Sequence, residues 1–420
     1  MKPSIISSTR YSVFYVGSTV LVLWISMFSF LAIPAPAQAP SDSDPALIYI
    51  LLWQLDRGDT AKAEKLLREN LPQMEKRLEQ VLPEIDQDFD IVGRFGAVSI
   101  RFGPGYTELD AKTNRYEKLF SLYRKVTGND NLYQRFEVRR LRIDGAHLTN
   151  EAENICGRQM NWDEARALYV KALENLEAAF PIAQNLKDSR MMASVKNNIG
   201  STQLRLLNPE KALESYMEGI RYADQLQGDL YKGLLRLNVA NVYVWIGQPD
   251  KAIPYAQEAL EIFRKIGRGT WEANALMTLG NAYLRQQKFA TAWETLNLTL
   301  QVAQKAGEYR VYGRTLLNLG VAGLQTKMPD SKSYLEQALK WYQEDDEIYP
   351  SIEREAVLQD GLRLMSQIAQ QAGNSAQSEQ YTKQYLELLG ADPNRYQTVR
   401  QSPCFAIYMG RPVAENKTTP

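Results

Sequence analysis

The sequence predicts an all-α chain, an array of antiparallel helix pairs with an irregular insertion near residues 83–112. Three observations predict it. A small residue recurs at Gly200, Ala240, Gly280 and Gly320, in steps of 40 residues, and fixed self-similarity at this length marks a helical repeat. Apolar and small side chains around each follow spacings of three and four, which place them on one helix face. Turn residues recur in step: Pro209, Pro249 and Pro329 can open second helices, and Gly228, Gly267 and Gly307 suit their ends.

Aligned on the small residue, the units read NNIGSTQ, LNVANVY, MTLGNAY and LNLGVAG. Ile199, Val239, Leu279 and Leu319 precede it, and Tyr243 and Tyr283 follow one turn later. In the second helix come Ala212, Ala252 or Ala292, then Tyr216, Ala256 or Leu296, then Gly219, Ala259 or Thr299. Small residues let two helices approach closely and larger ones fill the groove beside them.

This pattern resembles the tetratricopeptide repeat family, in its longer subclass of about 40 residues. The resemblance rests on the small residue and tyrosine of helix A, the alanine of helix B and the proline at the turn. It implies a right-handed superhelix with helix A lining the concave side. There are departures. Lys196, Arg236, Leu276 and Leu316 hold the place of the family's helix A tryptophan. Gln203 and Gly323 replace the tyrosine in the outer units, and Asp224, Arg264 and Gln304 stand where a proline usually ends helix B. The fourth unit is one residue short before Ala338.

The chain begins apart from the array. Lys2 and Arg10 precede an apolar run from Val13 to Ile33, followed by Pro-Ala-Pro-Ala-Gln-Ala-Pro from Pro34 to Pro40. A basic start, an apolar stretch and small residues describe an export signal. Residues 1–39 are read as a signal peptide, cleaved after Ala37, or as an uncleaved anchor, since the run can span about 30 Å of hydrocarbon. Either way the body is expected to be exported, periplasmic or lumenal, meeting a membrane only through this segment. The style is that of a bacterial, cyanobacterial protein. Lys plus Arg and Asp plus Glu both number 49, so no net charge points to nucleic acid as a partner.

Residues 40–82 read as degenerate repeat helices, Leu47–Leu55 and Ala61–Leu82, around Arg57-Gly58-Asp59. From Pro83 the pattern stops. Ile91 to Tyr106 reads IVGRFGAVSIRFGPGY, whose glycines and proline argue for a loop or hairpin, or for a functional flap. Asp86, Asp88 and Asp90 alternate like the opening of a calcium loop. Ile91 and Ala97 sit where that loop needs glycine and glutamate, so an acidic turn is expected. Residues 113–390 should carry the main array. It starts with helices Asn114–Thr127, Leu132–Ile155 and Trp162–Leu186, and Arg135, Arg139, Arg140 and Arg142 form a solvated basic face on the second. Ile352–Gln371 and Ser375–Leu389 make the capping pair. Residues 391–420 read as an irregular tail.

Chemistry is sparse. His147 is the only histidine, so neither a zinc site nor a Ser-His-Asp or Cys-His set can be assembled with support. No catalytic residue, cofactor or metal is expected, and the chain is read as a non-enzyme. Cys156 and Cys404 either tie the tail to the array by a disulfide or remain free thiols.

The residues that invite a function are polar ones on helix A. Asn198, Asn238 and Asn318 stand two residues before the small residue, and Asn241 and Asn281 one after it. A side-chain amide both donates and accepts, which suits a peptide backbone. In long-repeat proteins of the resembled family, helix A asparagines do grip peptides. The alternative is that they hydrogen-bond between repeats and hold the stack. Arg205 and Arg285 recur five residues after the small residue, placed to meet acidic groups. Trp245, Trp271, Trp293 and Trp341 read as packing. The expected function is a non-catalytic, exported scaffold that binds a peptide or helical segment of a protein partner in a concave groove. The alternative is a membrane-associated assembly or structural factor that self-associates and leaves the groove unused.

Overall fold

The computed structural model describes residues 44–95, 106–227, 230–328, 330–344, 351–389 and 401–409, and among them every regular element is a helix. The chain divides into two compact units, residues 1–77 and 78–420.

In the first unit, α1 (Asp44–Asp56) packs against α2 (Thr60–Glu69). Gly58 takes a positive φ of 75°, which lets Asp59 N–H turn back to the Gln54 carbonyl at 2.9 Å and close α1. The single helix expected over Ala61–Leu82 is two. Pro72 has no N–H to give a preceding turn, so the chain breaks at Asn70 and restarts as α3 (Leu71–Phe95).

Helix α3 crosses into the second unit and corrects the boundary expected at Pro83. The helix runs through that proline to Phe95. Leu78, Val81, Leu82, Ile85 and Phe89 are buried at spacings of three and four on both sides of it. One missing hydrogen bond does not outweigh that continuous apolar stripe. Helix α4 (Tyr106–Thr127) likewise starts before the expected end of the insertion, and the glycine-rich stretch 96–105 lies outside the described residues. The acidic turn is corrected too. Asp86 and Asp88 lie in α3; Asp86 accepts from Arg139 and Arg142, and Asp88 pairs with Lys112.

The remaining helices of the second unit pair up. They are α5 (Asp130–Gln159) with α6 (Trp162–Asn185), α7 (Ser189–Arg205) with α8 (Pro209–Ala223), and α9 (Leu230–Trp245) with α10 (Pro249–Lys265). Then come α11 (Gly269–Arg285) with α12 (Phe289–Ala306), α13 (Tyr309–Thr326) with α14 (Ser331–Glu344), and α15 (Ser351–Gln371) with α16 (Ser375–Leu389). Each first helix also packs on the first helix of the next pair. Pro209 and Pro249 open α8 and α10 as expected. In the four central pairs, from α7–α8 to α13–α14, the turn holds a left-handed residue at Leu207, Gly247, Gln287 and Lys327, again 40 apart, with glycine at one of the four. The last helix, α17 (Pro403–Met409), falls where an irregular tail was expected, and Cys404, Phe405 and Ala406 are buried. Seven residues, nearly all apolar, are too short a run to show a helical period.

The small residue of each first helix seats a side chain of its second helix. A Cβ on Gly200 would lie 2.6 Å from the Tyr216 ring, and one on Gly280 2.6 Å from Leu296. Gly320 meets Leu335, one residue early, because the fourth unit is one residue short. Where helix A carries Ala240, helix B carries Ala256, so the one position without glycine faces a side chain small enough to make room for the extra Cβ.

Candidate functional site

The polar residues singled out in the sequence lie on the first-helix layer, and the structure joins most of them between neighbouring pairs. Asn238 donates to Asn197 Oδ1 at 2.9 Å, linking α9 to α7. Thr278 donates to Asn241 Oδ1 at 2.7 Å, linking α11 to α9. Asn318 donates to Asn281 Oδ1 at 2.7 Å, linking α13 to α11. These bonds form one ladder across four helices. It exists because consecutive first helices lie side by side and a 40-residue repeat returns an amide to the same height.

The ladder leaves donors over. With Oδ1 engaged, the Nδ2 groups of Asn241 and Asn281 have no hydrogen-bond partner among the described residues, and Asn241 is exposed. Asn198 does not bridge helices. It accepts a long bond from Asn197, and its own Nδ2 is buried without a partner. Asn197 was missed in the sequence because it stands three residues before Gly200, out of step with the other asparagines. Ser194, Thr149 and Thr202 were missed as well. Ser194 accepts from Arg142 at 2.9 Å and donates to Tyr231 at 2.8 Å, and Thr149 meets Thr202 at 3.1 Å. Those three contacts continue the stitching from α5 to α7 and α9.

The two candidate arginines separate. Arg205 Nε lies 2.6 Å from Glu153 of α5. Burial pulls its pKa down, but Glu153 outweighs that and holds the guanidinium charged. Arg205 is thus a tie between α7 and α5, whereas Arg285 is exposed at the end of α11. The solvated basic face expected on α5 is corrected. Arg139 and Arg142 are 8% and 3% exposed, both bound to Asp86, and Arg142 lies 4.0 Å above the Phe89 ring. A helix wheel could not reveal that, because the acid comes from α3. Lys196 and Arg236, in the tryptophan's place, make ion pairs to Glu218 and to Glu258 and Asp224. Trp271 stacks on Phe263, Trp293 meets Tyr334 edge-on and Trp341 packs on Tyr312, all as packing residues.

Cys156 and Cys404 form a disulfide, which decides between the two readings of the cysteines. An open depression of about 490 Å³ lies at the α4–α5 turn, beside Arg124, Asp130 and Tyr133. Of the two cations that line it, Arg124 and Lys125, the first pairs with Asp130 at 2.6 Å. Among the described residues no three metal-ligating side chains gather, and no helix is long and apolar enough to cross a membrane. Residues 1–39 lie outside the described residues.

Solved structures share this packing. The apo form of RapI superposes with a TM-score of 0.50 and 13% identity over 78% of this chain and 80% of that one. A Rap protein complexed with competence and sporulation factor gives 0.50 and 13% over 79% and 83%. The tetratricopeptide repeat sensor protein of the signal transduction ATPases from Pyrococcus horikoshii gives 0.51 and 14% over 88% and 56%. At these identities the likeness is one of fold. No curated protein sequence matches the chain. Residues 233–305 match the family described as tetratricopeptide repeat, and helix pairs packed in the same way lie on either side of that stretch.

Proposed function

We propose that the chain is a non-catalytic protein-interaction scaffold, exported from the cytoplasm, that holds an extended or helical segment of a partner against its first-helix layer. The observation that carries this reading is the amide ladder with its spare donors. Asn241 and Asn281 are fixed by the bonds to their Oδ1 atoms, so their Nδ2 groups are pre-oriented at no further entropic cost. Two oriented amide donors one repeat apart suit the carbonyls of a peptide backbone. The Rap protein solved with competence and sporulation factor has this fold, which makes the reading natural without supplying a ligand. Export is favoured by Lys2, Arg10 and the apolar run from Val13 to Ile33, and a disulfide suits an oxidising compartment. A cleaved signal and a retained anchor are both compatible with it.

The ladder also sharpens the test. Replacing the asparagines by alanine would confuse binding with stacking, because the Oδ1 atoms hold neighbouring repeats. Asn241→Asp with Asn281→Asp keeps an acceptor at each position for Thr278 and Asn318, and turns each spare donor into a charged acceptor that repels a peptide carbonyl. Capture of partners from the protein's own cells, by in-cell crosslinking through a C-terminal tag, is expected to fail in this variant while its melting midpoint stays near wild type. Undiminished capture by the folded variant would move the site off the ladder. A mass that rises with concentration in light scattering, with no partner captured, would favour self-association instead.

A further inference from the structure

Helical repeats touch their neighbours in sequence, so a helix that meets both ends of an array does something the repeat itself does not require. Helix α17 packs against α5, the first helix of the first pair, and against α15, the first helix of the last pair. Helix α15 also packs on α5. The first helices from α5 to α15 thus form a closed circuit, and its seam is the apolar cluster of Ala152, Ile155, Ala165, Tyr169, Ala356 and Phe405. The Cys156–Cys404 disulfide lies inside this seam and ties residues 248 apart.

We propose that this disulfide is a redox latch: a dithiol reductant frees α17 from α5 and opens the circuit, and reoxidation closes it. The inference makes no assumption about what the array binds. Seven residues are too few for a helix to stand on its own hydrogen bonds, so α17 owes its order to its contacts. Of its residues with described side chains, Cys404, Phe405 and Ala406 are the buried ones. One of those three is the bonded cysteine, so among the described side chains Phe405 and Ala406 are the buried apolar footing left once the bond is cut. Both sulfurs are buried, so attack waits on fraying of α17, and its size makes this the cheapest opening of the seam. One thiolate of the dithiol then attacks the Cys404 sulfur and expels Cys156 as a thiolate, which takes up a proton. The second thiol displaces Cys404 from the mixed disulfide. Two electrons pass to the protein bond, leaving two protein thiols and the oxidised reductant. Without α17, the apolar faces of Ala152 and Ile155 on α5 and of Ala356 on α15 lose their cover.

Hydrogen exchange on the full chain tests the latch in three states: oxidised, treated with excess dithiothreitol, and as Cys404→Ser. Thiol titration reports whether the bond is open. The expected result is exchange faster by about tenfold or more in α17 and in the seam turns of α5 and α15, with α9 to α12 unchanged. Reoxidation with glutathione disulfide should restore protection. Two titratable thiols with unchanged exchange would overturn the proposal. So would a bond that dithiothreitol cannot open in the folded protein, or an equal rise of exchange in every helix. Should Cys404→Ser fail to fold, the dithiothreitol arm decides alone.

Discussion

Glu353 shows what one residue can hold. Its side chain is 1% exposed, and it accepts from Arg314 at 2.6 Å and from Arg310 at 3.2 Å, tying α15 to α13. Burial alone would raise its pKa, but the two guanidinium groups outweigh burial and bring it below the ordinary 4.5. A folded-state value below the unfolded one stabilises fully above the unfolded pKa, and that stability drains away as the pH falls through the folded value. Glu353→Gln should therefore cost about 1.5–3 kcal/mol at pH 7, since it exchanges two charge-assisted hydrogen bonds from half-buried arginines for contacts to a neutral amide. The gap to wild type should narrow steadily below about pH 4.5. Denaturant melts at several pH values would check this, and a gap independent of pH would contradict the assignment. The ladder is cheaper to cut. Asn238→Ala removes one neutral hydrogen bond to Asn197 and should lower stability by about 1 kcal/mol without unfolding the array.

At the scale of the element, the seam between the helices of a pair is set by complementary volume. Three pairs set glycine on helix A against Tyr216, Leu296 or Leu335 on helix B. The pair in between sets Ala240 against Ala256. In α11, Gly280→Ala gains about 1 kcal/mol of helix propensity. Its new Cβ falls 2.6 and 2.8 Å from branched atoms of Leu296, an overpacking worth about 1–3 kcal/mol. A net loss near 1 kcal/mol is expected. Leu296→Ala alone should cost about 2–5 kcal/mol through the cavity it leaves. The double variant recreates the combination that α9 and α10 already use, so its loss should fall short of the sum by about 1 kcal/mol or more. A double-mutant cycle read by urea denaturation gives that coupling, and strict additivity would refute the packing argument. The periodic pattern made this seam legible before any coordinates, because the partners sit at fixed spacings within one unit. It did not reveal that Pro83 lies inside a helix or that Asn70 ends one. In both places competition between a backbone break and a buried stripe is decided by neighbours outside the segment.

For the second unit as a whole, the closed circuit changes how the array should unfold. An open array frays from its ends, because terminal pairs have one neighbour only. The disulfide joins the two ends through α5 and α17, so neither is terminal while the bond is intact. Oxidised protein is therefore expected to unfold in one steep transition, and reduced protein in a broader one in which α9 to α12 outlast the ends. Circular dichroism against urea would show this as a fall in the apparent m-value on reduction. Equal slopes in the two redox states would mean that the circuit carries no cooperativity.

The sequence by itself determined the helix pairs, their 40-residue period and the close seams, because all of these rest on spacings within one unit. Asn238, Asn241, Asn281 and Asn318 were also legible as a recurring polar set, for the same reason. Only the tertiary structure decided what those residues meet. Asn197 joins the ladder, Arg205 turns to Glu153, Arg139 and Arg142 close on Asp86, and Cys156 finds Cys404. Each of these pairs brings together helices from different units or from outside the array. A periodic pattern fixes which face a residue occupies on its own helix. The residue opposite depends on how far the stack turns over several units, and no single stretch of chain encodes that.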